Sequence, residues 1–429
     1  MLRKRITGLF VVFIYYPVTL FAVDVNYTTG LSYAQYDNIN LLTQPPDEKE
    51  TAHIVNVALT IVEDTSNFST NVNTRLSATS YVTNQASDQT TGSFIANLNW
   101  KIKPGQFEWL LNNTFTQTVI DPLASNAPSN RQNVNVLSTG PDYTIRFNSR
   151  NNLEFDARIE NYSFEQNRDN NRATVAARWR HRINSSVNVS LNNLAEIVEF
   201  EDEIANNNFH RNDVFLGLNY ARALNTLEAQ YGSTNITNDN IDDINYDRYL
   251  FAINKVNSRT STMRFSYENR ATDTGRLLLN SSATIIDGNP AVGDTASNDL
   301  FVDEIISAQY IKSLNRGGYT FQIYKTDREY NRQTNLDIDF EGVLISGVLN
   351  LQRGNSITYN LNYVNTLYKD PALSGREDED YRYGLTYNFR LKRNASVGFS
   401  AISQERKSSD LTATYENLAL FINLNYFSR

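Results

Sequence analysis

Apolar and polar residues alternate with period two along almost the whole chain. Between residues 106 and 119, Phe107, Trp109, Leu111, Phe115 and Val119 share one parity. Gln106, Glu108, Asn112, Thr114, Thr116 and Thr118 share the other. Successive side chains of a β-strand point to opposite faces, so this segment predicts a strand with one apolar and one wet face. The same pattern places Val187, Val189 and Leu191 on one face, and later Val214, Leu216, Leu218 and Tyr220. It recurs at Ile357, Tyr359, Leu361 and Tyr363, at Tyr381 through Phe389, and at Leu418, Leu420, Ile422, Leu424 and Tyr426.

Two kinds of connection separate these strands. Short polar turns are expected near 63–66, 103–105, 148–151, 184–185, 223–225, 257–259, 314–317, 353–355 and 392–394. Longer acidic or Asn-rich loops are expected at 37–50, 83–89, 121–130, 199–208, 234–243, 271–298 and 369–380. The unit of strand, long loop, strand and short turn therefore repeats about ten times. It predicts a closed antiparallel transmembrane β-barrel of about 20 strands (roughly 18 to 22), with short periplasmic turns and long extracellular loops. A soluble sandwich would instead hide its apolar faces between two sheets. Three features favour lipid: the pattern persists throughout, Tyr and Phe recur toward strand ends, and loop lengths alternate. In lipid every backbone polar group must be paired within the protein, which closure achieves.

The N-terminus departs from this pattern. Met1 to Arg5 is basic and residues 8–21 are apolar, which predicts a signal peptide over 1–22 and a barrel over 23–429. No later run is long and apolar enough for a transmembrane helix. The absence of Cys excludes disulfides, zinc–thiolate sites and a Cys nucleophile. A net charge of −8 argues against a general nucleic-acid binder.

The most distinctive polar feature lies on two neighbouring strands. Opposite the apolar row Leu153, Phe155, Ala157 and Ile159 stand Glu154, Asp156, Arg158 and Glu160. Opposite Ala173, Val175, Ala177 and Trp179 stand Arg172, Arg178, Arg180 and Arg182. If the hairpin centres near Arg168, Glu154 faces Arg182, Asp156 faces Arg180, and Arg158 faces Arg178, a like-charge pair that needs Glu160 nearby. The eight residues are expected to line the lumen. They form either a wall that guides an anionic solute or a salt-bridge network that closes a narrow lumen.

Other candidate chemistry is sparse. The acidic runs 239–243 and 377–380 offer oxygen ligands for calcium, but neither has the spacing of an EF-hand loop, and no metal site or cofactor is expected. The connection 271–298 is the longest; it can fold inward as a constriction or lie outside. His181 alternates with Arg180 and Arg182 and should point outward. His210 borders a long loop close to Asp213 and is the only histidine placed for acid–base work. No nucleophile elbow, zinc-protease or phosphate-loop motif occurs, so no enzyme is expected.

The strand ending Ser32-Tyr-Ala-Gln-Tyr-Asp37-Asn38-Ile39, the hairpin repeat, and the close Leu418-Ala-Leu-Phe-Ile-Asn-Leu-Asn-Tyr-Phe427 carry a resemblance. The chain resembles the outer-membrane β-barrel proteins of bacterial exopolysaccharide and exosortase (PEP-CTERM) gene clusters. The resemblance implies a porin-like conduit in a Gram-negative outer membrane, linked to export or surface display of polysaccharide. It also implies contact with outer-membrane lipid, with polysaccharide or a small solute, and with the barrel assembly machinery. A barrel with a blocked lumen, whose outer loops engage a glycan or partner protein, is the alternative. Outer-membrane barrels usually end on an aromatic residue, whereas Ser428 and Arg429 follow Phe427 here.

Overall fold

The computed structural model describes residues 23–121, 123–201, 208–238, 241–280, 300–373 and 375–428. The expected signal segment 1–22 lies outside them. The first ten strands are β1 (Asp24–Tyr36), β2 (Glu50–Asp64), β3 (Phe68–Tyr81), β4 (Gln89–Lys103), β5 (Phe107–Val119), β6 (Arg131–Arg146), β7 (Asn151–Phe164), β8 (Asn170–Arg182), β9 (Val187–Phe200) and β10 (Phe209–Arg222). The second ten are β11 (Asn225–Asn238), β12 (Ile241–Ser258), β13 (Ser261–Asp273), β14 (Leu300–Leu314), β15 (Gly317–Tyr330), β16 (Ile338–Asn350), β17 (Ser356–Tyr368), β18 (Glu377–Lys392), β19 (Ala395–Ser408) and β20 (Tyr415–Phe427). One α-helix, α1 (Thr274–Asn280), follows β13.

Each strand pairs antiparallel with the next, and β1 pairs with β20 from Thr28↔Phe427 to Tyr36↔Ala419. The sheet is therefore closed, and no strand edge is left unpaired against lipid. The seam continues past the last aromatic: the Ser428 N–H donates to the Tyr27 carbonyl at 2.8 Å, and the Tyr27 N–H donates to Ser428 Oγ at 2.7 Å. Ser428 thus extends the closing ladder by one further step.

The period-two pattern translates directly into two faces. Leu31, Ile159, Leu216, Leu385 and Ile422 point outward and are exposed; Leu216 is 63% exposed. A ring of exposed Leu, Ile and Val around a closed barrel is the band that contacts hydrocarbon. All three tryptophans, Trp100, Trp109 and Trp179, are exposed close to the short-turn end of their strands. Their amphipathic rings suit an interfacial girdle.

All nine expected short turns fall on connections of two to five residues at one end of the barrel. The other end departs from expectation. Residues 234–238 and 241–243 belong to strands and not to a loop: β11 runs to Asn238 and β12 starts at Ile241, with Ile236 opposite Ile244. Polar Thr234 lies on a strand with apolar Ile236, and both are buried on the inner face. On a barrel an Asn- and Thr-rich segment can be an inner wall, so polarity alone overstates loop length. Strict alternation of long and short connections fails there.

The β6–β7 ladder lapses at Gly140 and Pro141 and then resumes in the same register, with Thr139↔Ile159 and Asp142↔Asp156 on either side. Pro141 has no N–H to donate. A Cβ on Gly140 would lie 1.9 Å from the Ala157 carbonyl oxygen, so only glycine permits this approach.

Candidate functional site: the inner wall of β6 to β10

The inner face differs between the two ends of the barrel. Toward the loops, lumen-facing side chains are buried: Glu160, Arg172, Glu196, Arg211, Asp213 and Asp273 are each at most 8% exposed. Toward the turns the same wall opens, and the side chains of Arg178 and Arg180 are 42% and 43% exposed.

All eight residues of the expected charged stripe lie on the face opposite the exposed apolar row, but their partners differ from those expected. Glu154 pairs with Arg178, Asp156 with Ala176, Arg158 with Thr174 and Glu160 with Arg172. Each partner sits four residues nearer the loop than the hairpin centred on Arg168 would place it. The connection 165–169 sets this register. The Asp169 carboxylate accepts from the Phe164 N–H at 2.7 Å and from Ser163 Oγ at 3.2 Å. The side-chain oxygen of Gln132 accepts from the Gln166 and Asn167 N–H groups at 3.0 and 3.1 Å. An even shift leaves every side chain on its own face, which is why the face assignment stands while the pairing does not.

The stripe divides by role. Glu154 accepts from Arg180 at 3.2 Å and from Arg178 at 3.5 Å, and Arg178 also donates to Asn192 at 2.8 Å. The Arg158 guanidinium donates to the carbonyls of Pro141 and Ala157 at 3.1 and 2.8 Å and pairs with Asp142. It therefore satisfies backbone acceptors where the ladder lapses, and no carboxylate from Glu160 is needed beside Arg178. Glu160 accepts from Ser138 and Tyr162 instead.

Arg172 reaches beyond the stripe. It holds Asp273, at the end of β13, through two bonds of 2.7 and 3.0 Å, and lies 3.7 Å from Glu196. Its guanidinium also covers the Tyr162 ring at 4.1 Å. Arg276 of α1 pairs with Glu196 at 2.9 Å, and its N–H donates to Asp273. Burial works to lower the pKa of the Arg276 guanidinium, but Glu196 and Asp273 outweigh it and hold the pKa above its ordinary value. Gly275 fits because a Cβ there would meet Arg172 and Tyr162 at 2.6 and 2.8 Å. The described start of the longest connection is thus folded inward onto β7, β8 and β9; residues 281–299 lie outside the described residues.

Sequence reasoning missed further buried ion pairs at the loop end. Asp213 takes Arg211 at 2.8 Å and Arg248 at 3.0 Å. Asp303 takes Arg328 at 2.7 Å. The acidic run 377–380 belongs to β18, not to a loop: Asp378 pairs with Arg376 at 2.6 Å and Asp380 with Arg406 at 2.9 Å. Those two acids are neutralised by arginines, and among the described residues no group of acids and histidines is arranged to hold a metal. Residues 239 and 240 of the other acidic run lie outside the described residues. Strand parity was the available signal, since Asp213, Asp378 and Asp380 all fall on the inner face. The same parity separates His210, which is exposed, from the buried Asp213 three positions on, so the two do not form an acid–base pair. His181 stacks on outward-facing Trp179 and bonds Asn151 at 2.8 Å.

No known protein family matches the sequence, and no curated relative does. Several solved structures are similar to this chain. The FrpB iron transporter of Neisseria meningitidis shares 9% identity over 94% of this chain and 81% of its own, with a TM-score of 0.48. The siderophore receptor PirA of Pseudomonas aeruginosa shares 9% over 96% and 81%, with a TM-score of 0.48. OpdQ of the same organism shares 11% over 95% and 99%, with a TM-score of 0.43.

Proposed function

We propose that this chain is a porin-like conduit of a Gram-negative outer membrane, serving export or surface display of a polysaccharide. The observation that supports the conduit is the gradient along the inner wall; the polysaccharide rests on the family resemblance of the sequence alone. The turn half presents half-exposed Arg178 and Arg180, whereas the loop half is packed with ion pairs and the inward-folded α1. A barrel of twenty strands is wide enough for water unless segments fill it. Filling it from one end leaves a vestibule that narrows toward the loop end. Lipid would surround the apolar band, and the barrel assembly machinery would insert it.

A barrel permanently closed by the same ion pairs, with its outer loops binding a glycan or partner, is the second reading; the burial of Arg172 and Asp273 favours it. Planar-bilayer recording separates the two. A conduit is expected to open, and Arg178→Ser, Arg180→Ser and Arg182→Ser together should shift its selectivity toward cations. Silence from folded wild-type protein and from an Arg172→Met variant would leave only the closed barrel.

A further inference from the structure

The turn end of the lumen holds a cavity of about 640 Å³ lined by Arg146, Arg150, Arg180 and Arg182, with Asn and Ser residues completing it. No acidic residue and no aromatic ring lines it. In a chain of net charge −8, a lining with four arginines, only one of them paired to a carboxylate, is a local inversion of sign. The sheet register sets them side by side: Arg146 faces Asn152, Asn152 faces Arg180, and Arg182 faces Asn188. The turn is held in place as well. The side-chain oxygen of Asn148 accepts from the Arg150 and Asn151 N–H groups at 2.9 and 3.0 Å, and the Arg182 N–H donates to the Arg150 carbonyl at 2.7 Å. Arg180 is shared with Glu154. Arg146, Arg150 and Arg182 have no ion pair among the described residues.

From this cavity we infer that the turn-end mouth binds a segment of acidic glycan, its carboxylates held by Arg146, Arg150 and Arg182. A guanidinium presents a planar fork of donors that matches a carboxylate. Asn side chains both donate and accept, and so pair with sugar hydroxyls. Five asparagines among ten lining residues suit a ligand rich in hydroxyls better than a bare inorganic anion. The volume lies in the range of small-ligand sites, on the order of 300–1,000 Å³. With no apolar or aromatic residue in the lining, an apolar solute gains little there. In the orientation expected of outer-membrane barrels, short turns face the periplasm, so such a site would take the polymer before it crosses.

This inference rests on the polysaccharide reading but does not require conduction. Its test is calorimetric titration of the folded full-length protein in detergent with a galacturonic acid oligosaccharide, the matched glucose oligosaccharide and inorganic phosphate. Binding of the galacturonic acid oligosaccharide is expected, weakening with added salt. The Arg146→Ser, Arg150→Ser, Arg182→Ser triple variant should bind about tenfold or more weakly, as when charge-assisted hydrogen bonds are removed. No binding of the acidic oligosaccharide overturns the proposal. So does equal binding of the glucose oligosaccharide, equal binding of phosphate, or an unaltered triple variant. If the triple variant does not fold, Arg150→Ser alone, in the turn, gives the same comparison. A barrel that binds but never conducts keeps this site and removes the conduit; one that conducts without binding does the reverse.

Discussion

Arg172 on β8 grips Asp273 at the end of β13 with two nitrogens at 2.7 and 3.0 Å, although about one hundred residues separate them. Both side chains are almost fully buried, and Glu196 shares the guanidinium. Breaking such a pair leaves charge uncompensated, at a cost of about 3–5 kcal/mol. An Arg172→Met variant is therefore expected to unfold at lower urea than the wild type. Converting Asp273 to Leu in the same chain should recover part of the loss. Unchanged urea midpoints in both variants would show that the pair does not hold the loop end together.

Gly275 lets α1 lie against Arg172 and Tyr162. In a Gly275→Val variant the added side chain must displace α1 or the guanidinium. The barrel ladder does not depend on α1, so heat-modifiable gel migration should persist. If α1 narrows the lumen, single-channel conductance should rise relative to wild type; equal conductance would place the constriction elsewhere.

Leu216 and Leu411 are both exposed apolar side chains, 63% and 78%, but they face different surroundings. Leu216 lies within β10 on the outer band, and Leu411 lies in the connection between β19 and β20. Leu216→Arg should destabilise the barrel in lipid vesicles by about 2–4 kcal/mol, the cost of arginine near the bilayer midplane. Leu411→Arg should change stability little. Equal effects at both positions would count against lipid contact along β10.

Lys369 bridges Asp327 at 2.6 Å and Asp339 at 2.9 Å at the loop end. Burial lowers its pKa, but the bonds to these two carboxylates outweigh that and hold it well above the ordinary lysine value. A folded-state pKa above the unfolded one gives stability that is complete below the unfolded value and lost as pH rises through the folded value. The thermal transition should therefore show no step from Lys369 at neutral pH and decline only above about pH 10.4. Lys369→Met should remove that alkaline step. A wild-type loss between pH 7 and 9 that vanishes in the variant would contradict the assignment.

The missing Cβ of Gly140 lets β6 approach the Ala157 carbonyl. Gly140→Val should force β6 and β7 apart where the ladder already lapses. The protein is expected to lose heat-modifiable migration, because a barrel open at one pair of strands exposes unpaired backbone to lipid. Normal migration of the variant would show that the strands can shift to make room.

Face assignment and strand number were legible in the sequence because side-chain direction in a strand has period two. Leu418, Leu420, Ile422, Leu424 and Tyr426 could be placed outward without coordinates, and so could the eight charged residues of β7 and β8 inward. Partners were not legible. Moving Glu154 from Arg182 to Arg178 changes the register by an even number, and such a shift leaves the alternation unaltered. Only the fit of the connection 165–169, tied by Asp169 and Gln132, selects among these equivalent registers. The same holds for Arg172 and Asp273: parity sets the direction of Arg172, but the distance across a lumen depends on barrel closure and on the inward turn of α1. Local periodicity fixed which way each side chain faces; closure of the sheet decided what it meets.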